Sequence, residues 1–420
     1  MPIADRVLAN GIRLVTEPIV AAQSAAIGFW FYAGSRDELE NEAGSTHFVE
    51  HLLFKGTARR SASDIARFFD RVGGYVNAFT ERECVCLMCV VPPERVDEAV
   101  SVLVEMTSES SLEDRDIELE RSVILSEILS TQDDADEMGM ETAFSLMFPG
   151  HPFSRPIAGT ADGLRSLEAR TLRERYTGAF ARGPDFVTAA GAFEEDAIYG
   201  SLLAFPSIGG RVINGVPPEF RAGRFAKRFD RRSSFSQAQI YLSFPIDEAR
   251  TAEAWGTWAL INAITGDMVS SRLFQSLREE RGLCYSVYSF AQFGRDCAFW
   301  MAALSSPPDR APYAYRSLLE EIGKLAESGV SETEVADAAS HIVGEMRLSS
   351  DDTEYRMKRL ARQLMFSGNA VPTGVTAEIL LGIGHDRVSG TIRRAFSPDS
   401  MNTVVFGDRQ NVKECEKLWK

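Results

Sequence analysis

The sequence predicts an α+β fold of two structurally related domains, each a mostly antiparallel sheet with helices packed on it, produced by an internal duplication. Apolar runs of strand length are followed by helical stretches in the first half of the chain, and the same order returns about half a chain later. The repeated elements are a strand over 24–33 and 236–245, a helix over 46–55 and 252–265, and a hairpin over 76–91 and 287–304.

Local signals predict the elements between these repeats. An Asn-Gly turn at 10–11 joins two short apolar runs, which is typical of a β-hairpin. Apolar spacing predicts an amphipathic helix over 93–108. The region 112–147 is largely helical, with a break predicted near Gly139.

A stretch rich in Gly and Pro separates the two repeats. It covers about 209–218 and is the best linker in the chain. We therefore predict one domain over 1–212 and a second over 219–420. A chain of 420 residues is long enough to bury two such cores.

Composition excludes several classes of protein. With 45% hydrophobic and 25% charged residues the chain is typical of a folded globular protein. A net charge of −15 argues against a nucleic acid partner, because phosphate neutralisation requires a basic surface. No apolar run of about 18–20 residues is present, so no membrane span is predicted. The N-terminus lacks the pattern of a signal peptide, and we expect a cytoplasmic protein.

Three of the six cysteines cluster at 84, 86 and 89, and Cys86 and Cys89 have the Cys-x-x-Cys spacing. They lie in an apolar run that predicts a buried strand, in which Cys86 and Cys89 point to opposite faces. We therefore interpret them as unreactive core thiols.

The chemistry centres on a His-x-x-Glu-His motif formed by His47, Glu50 and His51. Residues four apart share a helix face, so both imidazoles can reach one metal ion. Glu50 lies on a neighbouring edge of that face and can reach a metal-bound water without binding the metal. We predict a short helix here, with Ser45 as its N-cap and Gly56 as its C-terminal stop.

A catalytic zinc site requires a third protein ligand, which must be a carboxylate or histidine from elsewhere. Glu120 and Glu127 are two turns apart on one helix face, among apolar positions that include Val123, Ile124 and Ile128. An acid on such a face is costly unless it is paired or bound to metal. We assign Glu127 as the third ligand and Glu120 as the residue that orients a histidine.

These residues predict metal-dependent peptide hydrolysis with Glu50 as general base and no covalent intermediate. We expect one zinc ion per chain, although manganese or cobalt could occupy two histidines and a carboxylate. Two structural alternatives remain at this point. The motif could belong to an amphipathic helix with surface histidines, or the metal could be purely structural.

The motif and its surroundings resemble the inverted-zincin peptidases, a family that includes pitrilysin, insulin-degrading enzyme and the mitochondrial processing peptidase. The resemblance rests on Gly-Ser-Thr-His-Phe-Val-Glu-His-Leu-Leu-Phe-Lys-Gly-Thr over 44–57 and on the pair Glu120 and Glu127. The segments 73–80 and 151–159 also resemble parts of the family, and the similarity covers nearly the whole chain, in a short form like bacterial processing peptidases.

The resemblance implies where a substrate binds. The residues Asn77, Ala78, Phe79 and Thr80 match the family's edge strand, to which an extended peptide adds by backbone pairing. Cysteines at 84–89, where tyrosine or threonine is common in the family, leave side-chain selectivity open.

In the second domain Arg278 and Tyr285 resemble the family's arginine–tyrosine pair, which implies that they hold substrate carbonyls or stabilise the oxyanion. The residues alone also allow Arg278 to be an ordinary surface base. The stretch 252–265 contains no histidine, so the second domain cannot repeat the metal site and is predicted to be non-catalytic.

The chain has the size of one half of the long family members, which join two such halves around a closed chamber. The resemblance therefore implies a homodimer with an enclosed space that selects unfolded peptides. The resulting prediction is a zinc-dependent endopeptidase. The alternative is a non-catalytic peptide-binding or assembly subunit of the same fold.

Overall fold

The computed structural model describes residues 3–206, 224–229 and 236–419, which form two sheets with their helices. The strands are β1 (Ala4–Val7), β2 (Arg13–Pro18), β3 (Ala25–Phe31), β4 (Tyr75–Thr80), β5 (Val85–Val91), β6 (Phe186–Gly191), β7 (Arg224–Phe229), β8 (Ala238–Pro245), β9 (Ser286–Phe293), β10 (Ala298–Ser306) and β11 (Asn402–Gly407). The predicted linker over 209–218, and with it the predicted domain limits at 212 and 219, lies outside the described residues.

Helices connect and cover these strands. They are α1 (Ser45–Leu52), α2 (Ala62–Val72), α3 (Val96–Ser108), α4 (Asp114–Asp133), α5 (Ala135–Met147), α6 (Ala161–Ser166), α7 (Ala169–Ala179), α8 (Glu195–Leu202), α9 (Ala252–Asn262), α10 (Ala311–Ser328), α11 (Glu332–Leu348), α12 (Thr353–Ser367), α13 (Thr373–Gly382), α14 (His385–Ala395) and α15 (Arg409–Lys417). Two π-helical stretches follow α9, at Ala263–Asp267 and Phe274–Glu280. None of the described helices is both long enough and apolar enough to cross a membrane.

The chain divides into two compact units, and each unit includes a segment from the other half of the sequence. The first comprises Met1–Leu129, Arg155–Val216 and Leu348–Pro372, and the second comprises Ser130–Ser154, Pro217–Arg347 and Thr373–Lys420. Helix α12 therefore belongs to the first unit, and helix α5 belongs to the second.

The first unit is built on a six-stranded sheet with the order β1-β2-β6-β3-β5-β4. All neighbouring strands are antiparallel except β2 and β6. The predicted N-terminal hairpin is present as β1 and β2, and the predicted hairpin that follows α2 is present as β4 and β5. Helices α1, α3 and α4 contribute to the core on one face of the sheet, and α12 packs on the other.

The second unit is built on a five-stranded sheet with the order β7-β11-β8-β10-β9, antiparallel except for β7 with β11. Counted from β2, the first sheet has the equivalent strands in the same order and with the same single parallel pair. Helices α9 and α10 pack on one face of the second sheet, and α5 packs on the other. The predicted α+β fold with two related domains is therefore confirmed.

The break in the helical region over 112–147 lies at Asp134, and the prediction of a break near Gly139 was wrong. The Asp134 side chain accepts hydrogen bonds from two backbone N–H groups of the first turn of α5, so it begins a new helix. Gly139 lies inside α5, where a Cβ atom would come within 2.4 Å of the Tyr241 hydroxyl. The glycine therefore permits close packing of α5 on the second sheet.

Cys86 and Cys89 lie in β5, Cys84 directly precedes it, and all three are buried. Cys86 packs with the core beneath α12, whereas Cys89 packs in the core on the opposite face of the sheet, which confirms the predicted alternation. Burial raises the pKa of Cys89 to about 12 and raises the pKa of Cys84 and Cys86 as well. The thiols are therefore protonated at neutral pH and poor nucleophiles.

A buried ion cluster joins α12 to the first sheet. The carboxylate of Glu17 on β2 accepts contacts from Arg356 at 2.9 Å and from Arg359 at 3.0 Å, both on α12. All three side chains are largely shielded from solvent. Because an unpaired buried charge is expensive, this cluster specifies where a helix from the second half of the sequence docks in the first unit.

Replacing Glu17 by Ala leaves the Arg356 and Arg359 side chains without their carboxylate. We expect Glu17→Ala to lower the free energy of unfolding by about 3–5 kcal/mol, measured by urea denaturation. The control is Glu98→Ala, which removes an exposed pair with Arg95 and should cost less than about 1 kcal/mol. Equal losses in the two variants would show that the cluster does not stabilise the first unit.

Candidate metal centre

Helix α1 presents both histidines of the motif on one side and apolar side chains on the other. Phe48, Val49 and Leu52 are fully buried in the first core, which fixes the rotation of the helix about its axis. As a result, His47 and His51 point away from that core, and their Nε2 atoms are 3.3 Å apart. The sequence predicted this shared face.

The start of α1 is stabilised by Glu38, and the prediction of Ser45 as N-cap was wrong. The N-cap position is Gly44, whose φ of 92° is in the left-handed region and which has no side chain to accept a hydrogen bond. The buried Glu38 carboxylate instead accepts from Gly44 N at 2.8 Å and from Thr46 N at 2.7 Å. An anion at this end also complements the helix dipole.

Helix α4 supplies the carboxylates. Glu127 Oε2 lies 3.9 Å from His47 Nε2 and 3.7 Å from His51 Nε2. Glu120, two turns earlier on α4, lies with Oε1 3.0 Å from His51 Nδ1. Among the residues that the structure describes, His47, His51 and Glu127 form the one group of three potential metal ligands whose donor atoms all lie within 4.8 Å of one another.

The geometry of these three donors fits a zinc ion. Tetrahedral zinc with bonds of about 2.0–2.1 Å to nitrogen places two ligand atoms about 3.3–3.4 Å apart. The two imidazole nitrogens have this separation, and the carboxylate oxygen lies a few tenths of an ångström farther away. Two imidazoles and one carboxylate are also a donor set used by catalytic zinc sites, which keep the fourth position for water.

The electrostatics of the two imidazoles also suit metal binding. Burial, together with the nearby His51, lowers the pKa of His47 to about 4, so this ring is neutral at pH 7 and keeps a lone pair for a ligand bond. The contact between Glu120 and His51 places Nδ1 against a carboxylate oxygen, so Nδ1 is the donor of this ring and Nε2 faces the other potential ligands.

Glu50 is buried beside the histidines and is held by the edge strand. The Thr80 hydroxyl donates a hydrogen bond to Glu50 Oε2 at 2.8 Å, which orients the carboxylate. Burial raises the pKa of Glu50, and the hydrogen bond from Thr80 opposes that shift. The sequence identified both residues but assigned Thr80 only to substrate binding.

The predicted substrate strand is β4, which carries Asn77, Ala78, Phe79 and Thr80. It lies at the end of the first sheet and has β5 as its single neighbour among the described strands. Its outer edge therefore offers backbone groups for pairing with an extended chain. Because side chains alternate, Thr80 faces Glu50 while Phe79 faces α12 and contacts Trp30 and Lys358.

In the second unit the structure brings Arg278 and Tyr285 together. The Arg278 guanidinium carbon lies 5.4 Å from the centre of the Tyr285 ring and 4.7 Å from that of Phe274. Arg278 lies in the π-helical stretch, and Tyr285 just precedes β9, with 78% of its surface exposed. Both polar groups are therefore available to a ligand on this unit.

Two family models match successive parts of the chain. Residues 13–161 match the family model described as Insulinase (Peptidase family M16), and residues 204–341 match the model described as Peptidase M16 inactive domain. An uncharacterized zinc protease of Streptomyces coelicolor is 33% identical over 362 residues, covering 84% of this chain and 79% of that protein. An uncharacterized zinc protease of Bacillus subtilis is 29% identical over 396 residues, covering 93% and 95%.

Solved structures show the same fold. A protease from Helicobacter pylori superposes with a TM-score of 0.85 at 16% identity, covering 97% of this chain and 99% of that one. A putative M16-like peptidase from Alicyclobacillus acidocaldarius gives 0.82 at 19% identity, covering 97% and 98%. The fold is thus that of a peptidase class with two related domains. This chain belongs to peptidase family M16, and relatives of it in Streptomyces coelicolor and Bacillus subtilis carry the name zinc protease.

Proposed function

We propose that the chain is a zinc endopeptidase in which His47, His51 and Glu127 hold one metal ion and Glu50 acts as general base. The observation that carries the proposal is the convergence of three donor atoms from α1 and α4 within 4.8 Å of one another, with the buried carboxylate of Glu50 between the two histidines on α1. The names of the relatives support zinc as the metal.

The mechanism derives from the placement of Glu50. When bound, zinc supplies a Lewis acid that activates a water molecule and polarises a peptide carbonyl. Because Thr80 holds Oε2 of Glu50, Oε1 is the oxygen that accepts the proton of the attacking water. The same oxygen then returns the proton to the leaving amine, which completes hydrolysis without a covalent intermediate.

The substrate class follows from β4. Its outer edge can pair only with an extended backbone, so an unstructured peptide fits and a folded surface does not. In this proposal Asn77 to Thr80 align the peptide, with alternate side chains facing Glu50 and α12. Arg278 and Tyr285 supply hydrogen-bond donors for the substrate carbonyl or the developing oxyanion.

The assembly that we propose is a homodimer enclosing a chamber around unfolded peptides. The proposal is supported by the fact that one chain carries the proposed metal ligands, Glu50 and the pair Arg278 and Tyr285. A second copy of the same chain therefore needs no other subunit to complete the chemistry. Alternatively, the chain is a non-catalytic peptide-binding or assembly subunit, in which case zinc is bound but no peptide is cleaved.

Glu50→Gln keeps the size of the side chain but removes the base. We expect kcat for a mixed peptide library, followed by mass spectrometry, to fall by about 10²–10⁴-fold. Zinc content, measured by elemental analysis, should stay at one ion per chain, because Glu50 is not a proposed ligand. The control is Glu98→Gln on the surface of α3, which should retain full activity. Unchanged turnover in Glu50→Gln would remove Glu50 as the base, and inactive wild-type protein with zinc bound would favour the non-catalytic subunit.

Arg278→Ala tests the donor pair on the second unit. Loss of one donor to a developing oxyanion costs about 10²-fold in kcat or more, and zinc content should not change. A suitable control is Arg281→Ala, since Arg281 lies one turn away and contacts Glu320 and Ser317 instead. Full activity in Arg278→Ala, or the same loss in both variants, would make Arg278 an ordinary surface residue.

The proposed homodimer is tested by multi-angle light scattering after gel filtration. We expect a mass near twice the 46.4 kDa of the chain and a specific activity that falls when dilution separates the subunits. The activity should return on concentration. A monomer with constant specific activity at every concentration would contradict the chamber.

A further inference from the structure

A lysine beyond the end of α1 contacts the carboxylate that orients His51. The backbone keeps turning past Leu52, since Phe54 N donates to His51 O and Lys55 N donates to Leu52 O. This brings Lys55, four residues after His51, back to the side of α1 that faces α4. Its ammonium group contacts Glu120 Oε2, while Glu120 Oε1 lies 3.0 Å from His51 Nδ1.

The contacts follow the antiparallel order of the two helical segments. Glu127, late in α4, contacts His47 and His51, whereas Glu120, two turns earlier, contacts His51 and Lys55. His51 is therefore held between two carboxylates, and one of these is itself held by Lys55. This places Lys55 on the outer end of a continuous row of contacts that leads to the three metal donors.

Burial explains why Glu120 needs a second partner. Its side chain is 4% exposed, whereas that of Lys55 is 34% exposed. A buried carboxylate in contact with an imidazole through one oxygen leaves the other oxygen uncompensated, which is costly. The ion pair with the ammonium group compensates Oε2 and favours the orientation of the carboxylate in which Oε1 is directed at His51.

We propose that Lys55 is a positioning residue of the metal centre, which acts through Glu120 to orient the His51 ring. This inference rests on the proposed metal site and assigns a role to a side chain that touches neither metal nor substrate. A purely structural role for Lys55 would change the free energy of unfolding but would leave the zinc affinity of the folded protein unchanged.

The test compares zinc affinities, measured by competition with a chromophoric chelator, in wild type, Lys55→Met, Lys55→Arg, Glu120→Gln and the double variant Lys55→Met/Glu120→Gln. Loss of a residue that orients a ligand typically costs 10–100-fold in metal affinity, and we expect a loss of about tenfold for Lys55→Met. Lys55→Arg should restore most of it. In the Glu120→Gln background Lys55→Met should change the affinity by less than about twofold, because the contact is already gone.

The absorption spectrum of the cobalt-substituted protein gives a second measurement without turnover. We expect the visible bands of Lys55→Met to shift in the same direction as those of Glu120→Gln. The matched control is Lys324→Met, which removes a lysine from another buried glutamate, Glu321, far along the chain in the second unit, and should leave affinity and spectrum unchanged.

Equal losses for Lys55→Met in the presence and absence of the Glu120 carboxylate would overturn the inference, as would an unchanged affinity. If Lys55→Met alone fails to fold, a difference of more than about twofold between Glu120→Gln and the double variant would still overturn the inference, since both variants lack the unpaired buried charge. Wild-type protein that binds zinc but cleaves no peptide would contradict the proposed function and leave the Lys55 measurement valid. Wild-type protein that binds no zinc would overturn both.

Discussion

The register between α1 and α4 is the constraint on which the rest of the site depends. Both helices are fixed by apolar side chains in one core, Phe48 and Leu52 on α1 and Ile117, Ile124 and Ile128 on α4. A shift of one residue along either helix would rotate its polar side chains by about 100° and separate the donors. The packing of the first core therefore sets the distances between the metal donors as well as the stability of the unit.

The charged side chains around α1 are an anion at its start and a cation beyond its end. A carboxylate from Glu38 accepts the free N–H groups at its start, and a cationic side chain, Lys55, lies beyond its end, which complements the helix dipole at both ends. Between them His47 is neutral and His51 faces carboxylates on α4. The same few residues thus stabilise the helix, fix the orientation of its rings and prepare it to bind a cation.

The two units share a sheet topology but differ in the side chains that they carry. Their strand orders correspond from β2 onwards, including the single parallel pair in each. The helix equivalent to α1 in the second unit is α9, whose sequence has Trp258 and other apolar residues in place of histidines and which is correspondingly buried. The first unit carries the three potential metal ligands of the described residues, while the second has the same sheet topology and displays the exposed pair of Arg278 and Tyr285.

The sequence by itself determined the repeated α+β order, the shared face of His47 and His51, and the pair Glu120 and Glu127 two turns apart, because each follows from a period of two or of 3.6 residues. Local spacing could not find Glu38 as the cap of α1, the docking of α12 on Glu17 or the bond from Thr80 to Glu50. In each of these contacts the two residues belong to different elements of the structure. The break at Asp134 was missed because Gly139 was interpreted as a helix breaker. In the structure this glycine lies inside α5 and allows the helix to pack closely on Tyr241. Only the tertiary structure decides which side chains from separate elements share a buried space, because burial makes an unpaired polar group costly and so selects its partner.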